Sequence, residues 1–487
     1  MSYKKIVFAS GMALSLFTIQ SCDKIKDFKD LNNDPNETTT PIPSALLTNV
    51  ESNLGANLVF DAGGINTGAG LYAQYFSETQ YTEVSRYNKP AYNYDGYYVG
   101  PIEDLKNIID YNSDAGSSEA AAAYGSNKNQ IAIARILKAQ YVKFLTDAVG
   151  DLPYFNILKG NKGVITYPYD KQQDIYKDLI KELKEAADQF DNGTTVQGDI
   201  IFGGDVAKWK KYANSLRLLL ALNMKKADAT TGKTEFLAAL NHSAGVISNN
   251  ADNVTINYIG GNFPHPLYNY YVLTQRLDFG VSKTMTDQLS STSDPRINVY
   301  ATSSKGFPYG LTRDNAVAFA GANADWARIL KLNPSDPDHI YQKQDAPLVI
   351  IGAANIWLAR AEAAQLGWTS ESVATLFGNG ITASFSQWGV SGAATYIAAQ
   401  GVPDMQKIAV QEWVTWFPNG REGWNVYRRT GYPALTPAPG TTGGIPRRTP
   451  YGTDDYSYNA TNVADAAARY TVGGTADSQW GKIWWDQ

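Results

Sequence analysis

The chain has 487 residues, enough for one large domain or for two to three domains of ordinary size. Its net charge of −5 and pI of about 5.4 exclude the basic surface typical of nucleic-acid-binding domains, and its single cysteine excludes an internal disulfide. The aromatic content is high, with 31 Tyr and 11 Trp. These rings combine an apolar body with a polar tip, so they are common on surfaces that contact a ligand or a partner.

Residues 1–21 have the pattern of an export signal. Lys4 and Lys5 precede an apolar stretch at residues 6–19, which is too short to span about 30 Å of hydrocarbon as a helix. The only cysteine, Cys22, follows directly. We expect cleavage before it and lipidation of its thiol, which would anchor the chain to a membrane. The alternative is a secreted protein with an incidental cysteine at the end of its signal.

The rest of the chain divides into a tether and one domain. Residues 22–40 are polar and threonine-rich, which predicts a lipid-anchored tether. Residues 41–487 are predicted to form a single domain. We expect a helical repeat scaffold at about 41–250, a loop-rich ligand side at about 251–345, and C-terminal helices and loops at 346–487. No apolar run after Cys22 approaches a membrane span, so this part is expected to be soluble.

Apolar residues recur at a spacing of three to four in several segments, which predicts helices. In chain order these are residues 130–149, 170–190, 206–223, 235–247, 346–366 and 404–417. Asp170 with Gln173 has the pattern of a capping box, and Asp205 is a predicted N-cap. Successive helices in the first half suggest stacked helix pairs.

Long irregular stretches at about 71–101, 249–345 and 432–455 separate these helices, and ordered loops of this length are usually functional. Aromatic rings cluster in them beside amide, imidazole and guanidinium groups. A sugar ring has an apolar C–H face and a belt of hydroxyls, which suits such a combination. The candidate ligand-binding residues are Tyr81, Arg86, Tyr87, Tyr94, Tyr97, Tyr98, Asn262, Phe263, His265, Tyr268 and Trp326. Any one of these tyrosines could instead fill a contact between helices, and the clusters could instead be a protein–protein surface.

The sequence has few signs of catalytic or metal chemistry. The three histidines, His242, His265 and His339, are far apart, and we predict neither a zinc site nor any cofactor. Neither a nucleophile elbow nor a phosphate-binding glycine loop is present. Residues 191–194 and 333–338 carry oxygens that calcium accepts, but their spacing does not match a calcium-binding loop, so we interpret them as polar turns and leave a structural calcium open.

Short motifs run through the chain in a fixed order. They are residues 33–36 (NDPN), 75–81 with 85–87 (YFSETQY, SRY), 150–154 (GDLPY), 209 with 213–217 (W, ANSLR), 361–363 with 367–368 (AEA, GW), 411–420 with 422, 424 and 428–433 (RRTGYP), 445–448 (IPRR) and 484–486 (WWD). In these motifs the chain resembles the SusD/RagB family of outer-membrane nutrient-binding lipoproteins of the Bacteroidetes type, in its SusD-like branch. The resemblance covers nearly the whole mature chain.

The resemblance implies a mainly α fold, with four tetratricopeptide-like helix pairs packed against a loop-rich half with a few short strands. It also implies a non-enzymatic protein of the outer membrane, lipid-anchored and facing the cell surface. Such a protein captures an oligosaccharide and acts as a lid over a TonB-dependent SusC-like transporter. No nucleic-acid partner is implied.

The matched motifs are mostly structural by the same resemblance. A carboxylate such as Glu362 in an apolar helix needs a donor, and Arg428 and Arg429 are the natural candidates. We therefore interpret Glu362, Glu422, Arg428 and Arg429 as scaffold ion pairs, with ligand contacts left to the aromatic loops.

Three other functions stay open at this point. The chain could capture peptides, as RagB-like proteins do, although stacked rings favour sugars. It could be a glycan-degrading hydrolase, which requires a close carboxylate pair that the sequence does not single out. It could also be a structural partner of the barrel, with its aromatic clusters buried against that partner.

Overall fold

Helices make up most of the chain in the computed structural model. The structure describes residues 40–60, 68–88, 92–158, 166–330 and 343–487. The predicted signal, Cys22, almost all of the tether, His339 and residues 333–338 lie outside the described residues. Residues 42–487 form one compact unit.

Fourteen helices of eight or more residues lie in the described part of the chain. They are α1 (Pro43–Leu58), α2 (Glu103–Ser113), α3 (Asn127–Val149), α4 (Gln172–Gln189), α5 (Val206–Asn223), α6 (Ala229–Leu240), α7 (Lys283–Ser291), α8 (Arg313–Ala322), α9 (Ala353–Gln365), α10 (Val373–Gln387), α11 (Ala393–Gln400), α12 (Met405–Thr415), α13 (Gly420–Thr430) and α14 (Ala460–Ala468). None of the described helices has both the length and the hydropathy needed to cross a membrane.

Neighbouring helices pack on each other in chain order. Each of α1 to α5 contacts the next helix in the series, up to α6. Further along the chain, α9 packs against α10 and α12, and α12 packs against α13. The pairs α1/α2, α3/α4 and α5/α6 lie within the repeat scaffold predicted at about 41–250, whereas a fourth pair, α9/α10, lies beyond it in the region predicted as C-terminal helices and loops. Contacts of α9 with α5, and of α13 with α3, join the C-terminal helices to the first half.

The strands are few and short, as predicted. Strand β1 (Phe76–Glu78) pairs antiparallel with β3 (Phe279–Val281), so that Phe76 lies opposite Val281. Strand β2 (Val254–Asn257) pairs antiparallel with β4 (Pro347–Ile351). The first pair joins segments about two hundred residues apart, and the second joins segments about ninety residues apart. Because of these separations, the sequence could not reveal which strands pair.

The predicted helix at 346–366 is wrong in its first part. Residues 347–351 (PLVII) form β4, because β-branched residues pair with β2 here, and the helix begins only after Gly352. The Oδ1 of Asn355 accepts a hydrogen bond from the Gly352 N–H at 2.8 Å, which fixes the start of α9. The predicted helix at 235–247 begins earlier, at Ala229, after the N-cap Asp228, and the stretch predicted as irregular at 249–345 contains α7 and α8.

The capping box predicted at Asp170 is also wrong. Helix α4 begins at Gln172, and its N–H donates to the carboxylate of Asp151 at 2.8 Å. Asp170 instead accepts the N–H groups of Tyr154 and Phe155, each at 2.9 Å. Asp151 of the GDLPY motif therefore caps α4, although it does not directly precede that helix in the chain. The N-cap predicted at Asp205 is confirmed, since its side chain accepts from the Lys208 N–H at 3.1 Å.

Candidate ligand-binding face

The turn that follows β1 is fixed to the segment that precedes β3. The Thr79 N–H donates to the Asp278 carbonyl at 2.8 Å, and the Thr79 hydroxyl donates to the Leu277 carbonyl at 2.6 Å. Residues 303–328 join the same surface, because the Phe307 N–H donates to the carbonyl of Val281 in β3 at 2.8 Å and the Val281 N–H donates to the Ala327 carbonyl at 2.9 Å. We call the surface formed by residues 79–88, 270–278 and 303–328 the loop face.

Tyr81 is the most accessible of the predicted aromatic residues on the loop face, with half of its surface (50%) exposed. Arg276 lies close enough to Tyr81 to interact with it electrostatically. The exposed side chains of Leu273 and Leu277 belong to the same surface. The loop face therefore combines an open phenol ring, a guanidinium group and apolar side chains. The contribution of Arg276, Leu273 and Leu277 could not be predicted, because only the pairing of β1 with β3 brings them to Tyr81.

Arg86 ties three loops together. Its Nη1 donates to the carbonyls of Gly310 at 2.8 Å and Pro439 at 3.0 Å. Within the described part of the chain, no hydrogen bond involves its Nε or Nη2. The arginine is therefore held in place by one nitrogen and keeps donors for a ligand.

Glu78 closes the turn that carries Tyr81 and Arg86. Its Oε2 accepts the Ser85 N–H at 2.8 Å and the Ser85 hydroxyl at 2.7 Å. Burial raises the pKa of Glu78 to about 7, against the lowering effect of these hydrogen bonds. The turn is thus held by local bonds to a buried carboxyl group.

Tyr87 and Trp326 lie beneath the loop face. Tyr87 is buried, and its hydroxyl accepts a hydrogen bond from the Ala438 N–H at 3.1 Å. Trp326 is buried against Phe307, with ring centroids 5.5 Å apart, and the Arg328 guanidinium lies 4.3 Å from the indole centroid. In this structure both rings support the loops, and neither offers an open surface to a sugar.

The tyrosines before α2 are buried in the helical scaffold, contrary to the expectation of an open aromatic surface. The hydroxyl of Tyr94 donates to Asp455 at 2.9 Å, that of Tyr97 to the Asn57 carbonyl at 3.2 Å, and that of Tyr98 to the Pro153 carbonyl at 2.7 Å. A partner for each phenol group makes burial favourable.

Tyr98 also lines a groove of about 420 Å³ beside α2 and α3. The ring of the exposed Phe155 forms one side of this groove, with Tyr154 next to it at a centroid distance of 4.9 Å. Lys106, Asp110 and Lys138 are its charged residues. Tyr98 therefore lines a groove although its hydroxyl is bonded in the interior.

The candidates between β2 and β3 differ in how far they reach the surface. Asn262 is exposed, Tyr268 is half-buried, and Phe263 packs on Tyr258 with centroids 4.7 Å apart. His265 is buried, so it cannot contact a ligand at the surface; its Nδ1 accepts the Leu267 N–H at 3.1 Å and begins a short helical turn. Of the predicted candidates, the loop face as defined above therefore contains Tyr81, Arg86, Tyr87 and Trp326, and the others fall outside it.

We expect His265 to make the fold acid-sensitive. Burial lowers the pKa of His265 to about 3, below the 6.5 of an exposed histidine, so the unfolded chain binds a proton that the folded protein does not bind between these pH values. Its contribution to stability is complete above pH 6.5 and is lost as the pH falls toward 3. Between pH 7.5 and pH 5, urea unfolding should show the native protein losing about 2 kcal/mol more than a His265→Asn variant, which keeps an acceptor for Leu267. Equal losses in the two proteins would contradict this assignment.

The predicted scaffold charges lie in buried networks. Arg429 binds Glu362 with its Nη2 at 2.8 Å, and Lys143 binds Glu422 at 2.5 Å. Arg428 differs from the expectation that it pairs with Glu362. It donates to the carbonyls of Asp147 at 2.6 Å and Arg447 at 2.8 Å, and its guanidinium stacks 3.6 Å from the Trp424 ring centroid. A planar guanidinium satisfies several carbonyls at once, which explains this use.

Metal-binding groups are not assembled in the described residues: no three His, Cys, Asp or Glu side chains there are placed to hold an ion. Asp191, in one of the two polar turns, accepts the Ser126 hydroxyl at 2.8 Å and the Gly193 N–H at 2.9 Å. His242 lies 3.2 Å from Asp188.

The structure thus combines a helical scaffold with loops that carry exposed aromatic and charged side chains. The sequence model of the SusD-like family, described as "Starch-binding associating with outer membrane", matches residues 35–452. The chain therefore belongs to the SusD-like family, whose members are binding proteins of the outer membrane and not enzymes. This membership confirms the resemblance and the predicted fold class.

Solved structures share this fold. A chitin-binding protein is 26% identical, with 92% of this chain and 100% of that chain covered and a TM-score of 0.75. A SusD homologue from Bacteroides uniformis is 25% identical over 91% of this chain and 99% of that chain, with a TM-score of 0.75. A chitin-binding SusD homologue from Flavobacterium johnsoniae is 23% identical over 91% and 98%, with a TM-score of 0.72. A comparison with curated protein sequences gave no match.

Proposed function

We propose that this protein captures a glycan at the bacterial surface and delivers it to a TonB-dependent SusC-like transporter in the outer membrane. The observation that carries the proposal is the half-exposed ring of Tyr81, in the same segment of the loop face as the partly free guanidinium of Arg86. A flat ring packs against the C–H face of a pyranose, and guanidinium donors bind its hydroxyls. The family description and the chitin-binding relatives support a glycan as the ligand.

Lipidation of Cys22 would hold the protein at the membrane, and residues 23–40 would give the domain reach above it. Capture is non-covalent. The loop face binds the glycan, and the bound complex then closes over the transporter. The energy for uptake comes from the transporter, because the proposed role needs no reaction in this chain. This part of the proposal rests on the lipoprotein pattern and on the family resemblance.

Replacing Tyr81 or Arg86 with Ala should weaken glycan binding by about tenfold each, equivalent to about 1.4 kcal/mol. Native affinity gels with starch, laminarin and pullulan, and sedimentation with chitin, would measure this on residues 23–487. Tyr458→Ala is the matched control, because Tyr458 is 77% exposed but lies outside the loop face. It should bind as the native protein does.

Other outcomes would redirect the proposal. Binding that is unchanged by Tyr81→Ala and Arg86→Ala but lost with Phe155→Ala would place the ligand in the groove beside α2. Binding to peptide mixtures alone would favour RagB-like peptide capture. Release of sugar products would mean that the protein is a hydrolase.

A further inference from the structure

A further depression lies on the surface of the helical scaffold. It is a groove of about 370 Å³ between residues 248–250, α9 and α10. Trp357, Asn249, Asn250, Asn379, Thr382 and Ser386 line it. It is shallow and open, so a ligand bound there would keep part of its surface in solvent. None of these residues belongs to the loop face.

Helix α10 contributes one polar face to this groove. Asn379, Thr382 and Ser386 recur at the spacing of successive helical turns, and Ala383 lies on the same face. The opposite face is buried and apolar, with Phe377, Ile381 and Phe385 in the core, among others. A solvated helix face usually carries long charged side chains. Short amide and hydroxyl groups here leave the groove open.

The indole of Trp357 forms a fixed wall of the groove. Its Nε1 donates to the Ser248 carbonyl at 2.9 Å, and the Arg360 guanidinium lies 4.1 Å from the ring centroid. Arg360 is itself held by an ion pair with Glu371. The ring is therefore ordered before any ligand arrives, which lowers the entropy lost on binding.

Several polar groups of the groove lack partners within the described chain. No hydrogen bond there involves the side-chain amide of Asn379 or the hydroxyl of Ser386. Asn250 donates to the Ala383 carbonyl at 3.0 Å, but its Oδ1 is buried and accepts nothing. The groups of the groove that a ligand can reach are therefore the Asn379 amide and the Ser386 hydroxyl, which keep donors and acceptors for its hydroxyls.

The lining contains no Lys, Asp or Glu. An anion or a charged peptide terminus would find no counter-charge, since the nearby Arg360 is neutralised by Glu371. Amide and hydroxyl groups beside one aromatic ring suit a neutral molecule with many hydroxyls. They suit a protein partner less well, because protein contacts are centred on larger, fully desolvated anchors.

We propose that this groove is a second carbohydrate site, which binds one pyranose unit or the end of a neutral oligosaccharide. This proposal rests on the proposed function, because the groove and the loop face would bind the same class of ligand. Two sites on one protein bind a long polymer more tightly than either site alone, provided that the polymer spans both. The protein should therefore hold a polysaccharide better than a hexasaccharide.

Fluorine NMR of the full-length protein labelled with 5-fluorotryptophan would test this site directly. A Trp357→Phe spectrum identifies the Trp357 resonance among the 11 tryptophans. Maltohexaose and chitohexaose, added separately, are the probes. We expect one of them to shift the Trp357 resonance saturably. Ser386→Leu, which fills the groove from α10, should abolish this shift and weaken polysaccharide binding by about tenfold, whereas Tyr81→Ala should leave the shift unchanged.

The outcomes separate the two proposals. A Trp357 resonance that stays unmoved at saturation, in a protein that still binds a glycan through Tyr81, overturns the second site alone. Absence of glycan binding in both the spectra and the gels overturns the proposed function together with it. A shift that depends on protein concentration and not on sugar would identify a contact between copies and would also overturn the second site. If Ser386→Leu fails to fold, Asn379→Leu provides the same test.

Discussion

Replacing Arg429 with Met should lower the free energy of unfolding by about 3–5 kcal/mol, because it removes the cation that the buried Glu362 and Glu412 share and leaves Glu362 with Lys225 alone. The Arg429 guanidinium bonds to Glu362 at 2.8 and 3.1 Å, to Glu412 at 2.7 Å and to the Asn223 amide oxygen at 3.0 Å. All four side chains are buried. Burial works against charge on Glu362, but Arg429 and Lys225 hold the pKa of that carboxyl well below its usual range.

Urea unfolding followed by tryptophan fluorescence at pH 7 would measure this loss. Arg135→Met is the control, since Arg135 also binds two glutamates, Glu182 at 3.0 Å and Glu185 at 2.6 Å, but in a partly exposed cluster. Solvent reaches these two ion pairs and screens them in part, so we expect a smaller loss, of about 1 kcal/mol. Similar losses in the two variants would mean that the buried network contributes no more than a surface ion pair.

Replacing Lys143 with Met should have an effect of similar size, about 3–5 kcal/mol. Lys143 is buried in α3 and binds Asp147 at 2.9 Å and Glu422 at 2.5 Å, which links α3 to α13. Asp147 also accepts the Trp485 indole N–H at 3.0 Å and the Asn425 amide at 2.9 Å. Loss of the ammonium group would leave two acidic groups close together in the interior, so the C-terminal helices would be destabilised with α3.

The chain offers a matched control with the same chemistry. Lys283 and Asp287 form an ion pair with the same i, i+4 spacing, but both side chains are more than half exposed. Lys283→Met should therefore change the melting temperature by a degree or two at most, whereas Lys143→Met should lower it by many degrees. Equal shifts would refute the importance of burial at Lys143.

Much of the scaffold could be predicted, because its determinants are local. The apolar spacing of α3 involves only residues of α3, and the N-cap at Asp205 involves only the start of α5. The sequence therefore contains all that is needed to identify each of them. The motif residues Glu362 and Arg429 could be assigned to the scaffold because a charge in an apolar helix requires a partner. Their specific pairing depends on how α9 packs near α13, and the sequence does not contain that information.

The loop face was harder to predict than the scaffold, for a physical reason. A tyrosine in a loop may either face solvent or donate its hydroxyl to a backbone carbonyl in the interior, and the two cases have the same local sequence. Tyr97 and Tyr98 find carbonyl partners in Asn57 and Pro153, which lie far along the chain, so they are buried. Tyr81 stays exposed. Similarly, the sequence shows Trp357 only as part of an apolar helix. Its groove could not be predicted, because α10 and residues 248–250 complete it.

Hydrogen exchange with and without a bound glycan tests the central claim most directly. Chitohexaose and maltohexaose would each be added at saturation to the full-length protein, and amide protection would be followed along the whole chain. The account predicts slower exchange at residues 79–88, 270–278 and 303–328, which form the loop face. Protection confined to other segments, or exchange that neither sugar changes, would contradict a glycan-binding role for this face.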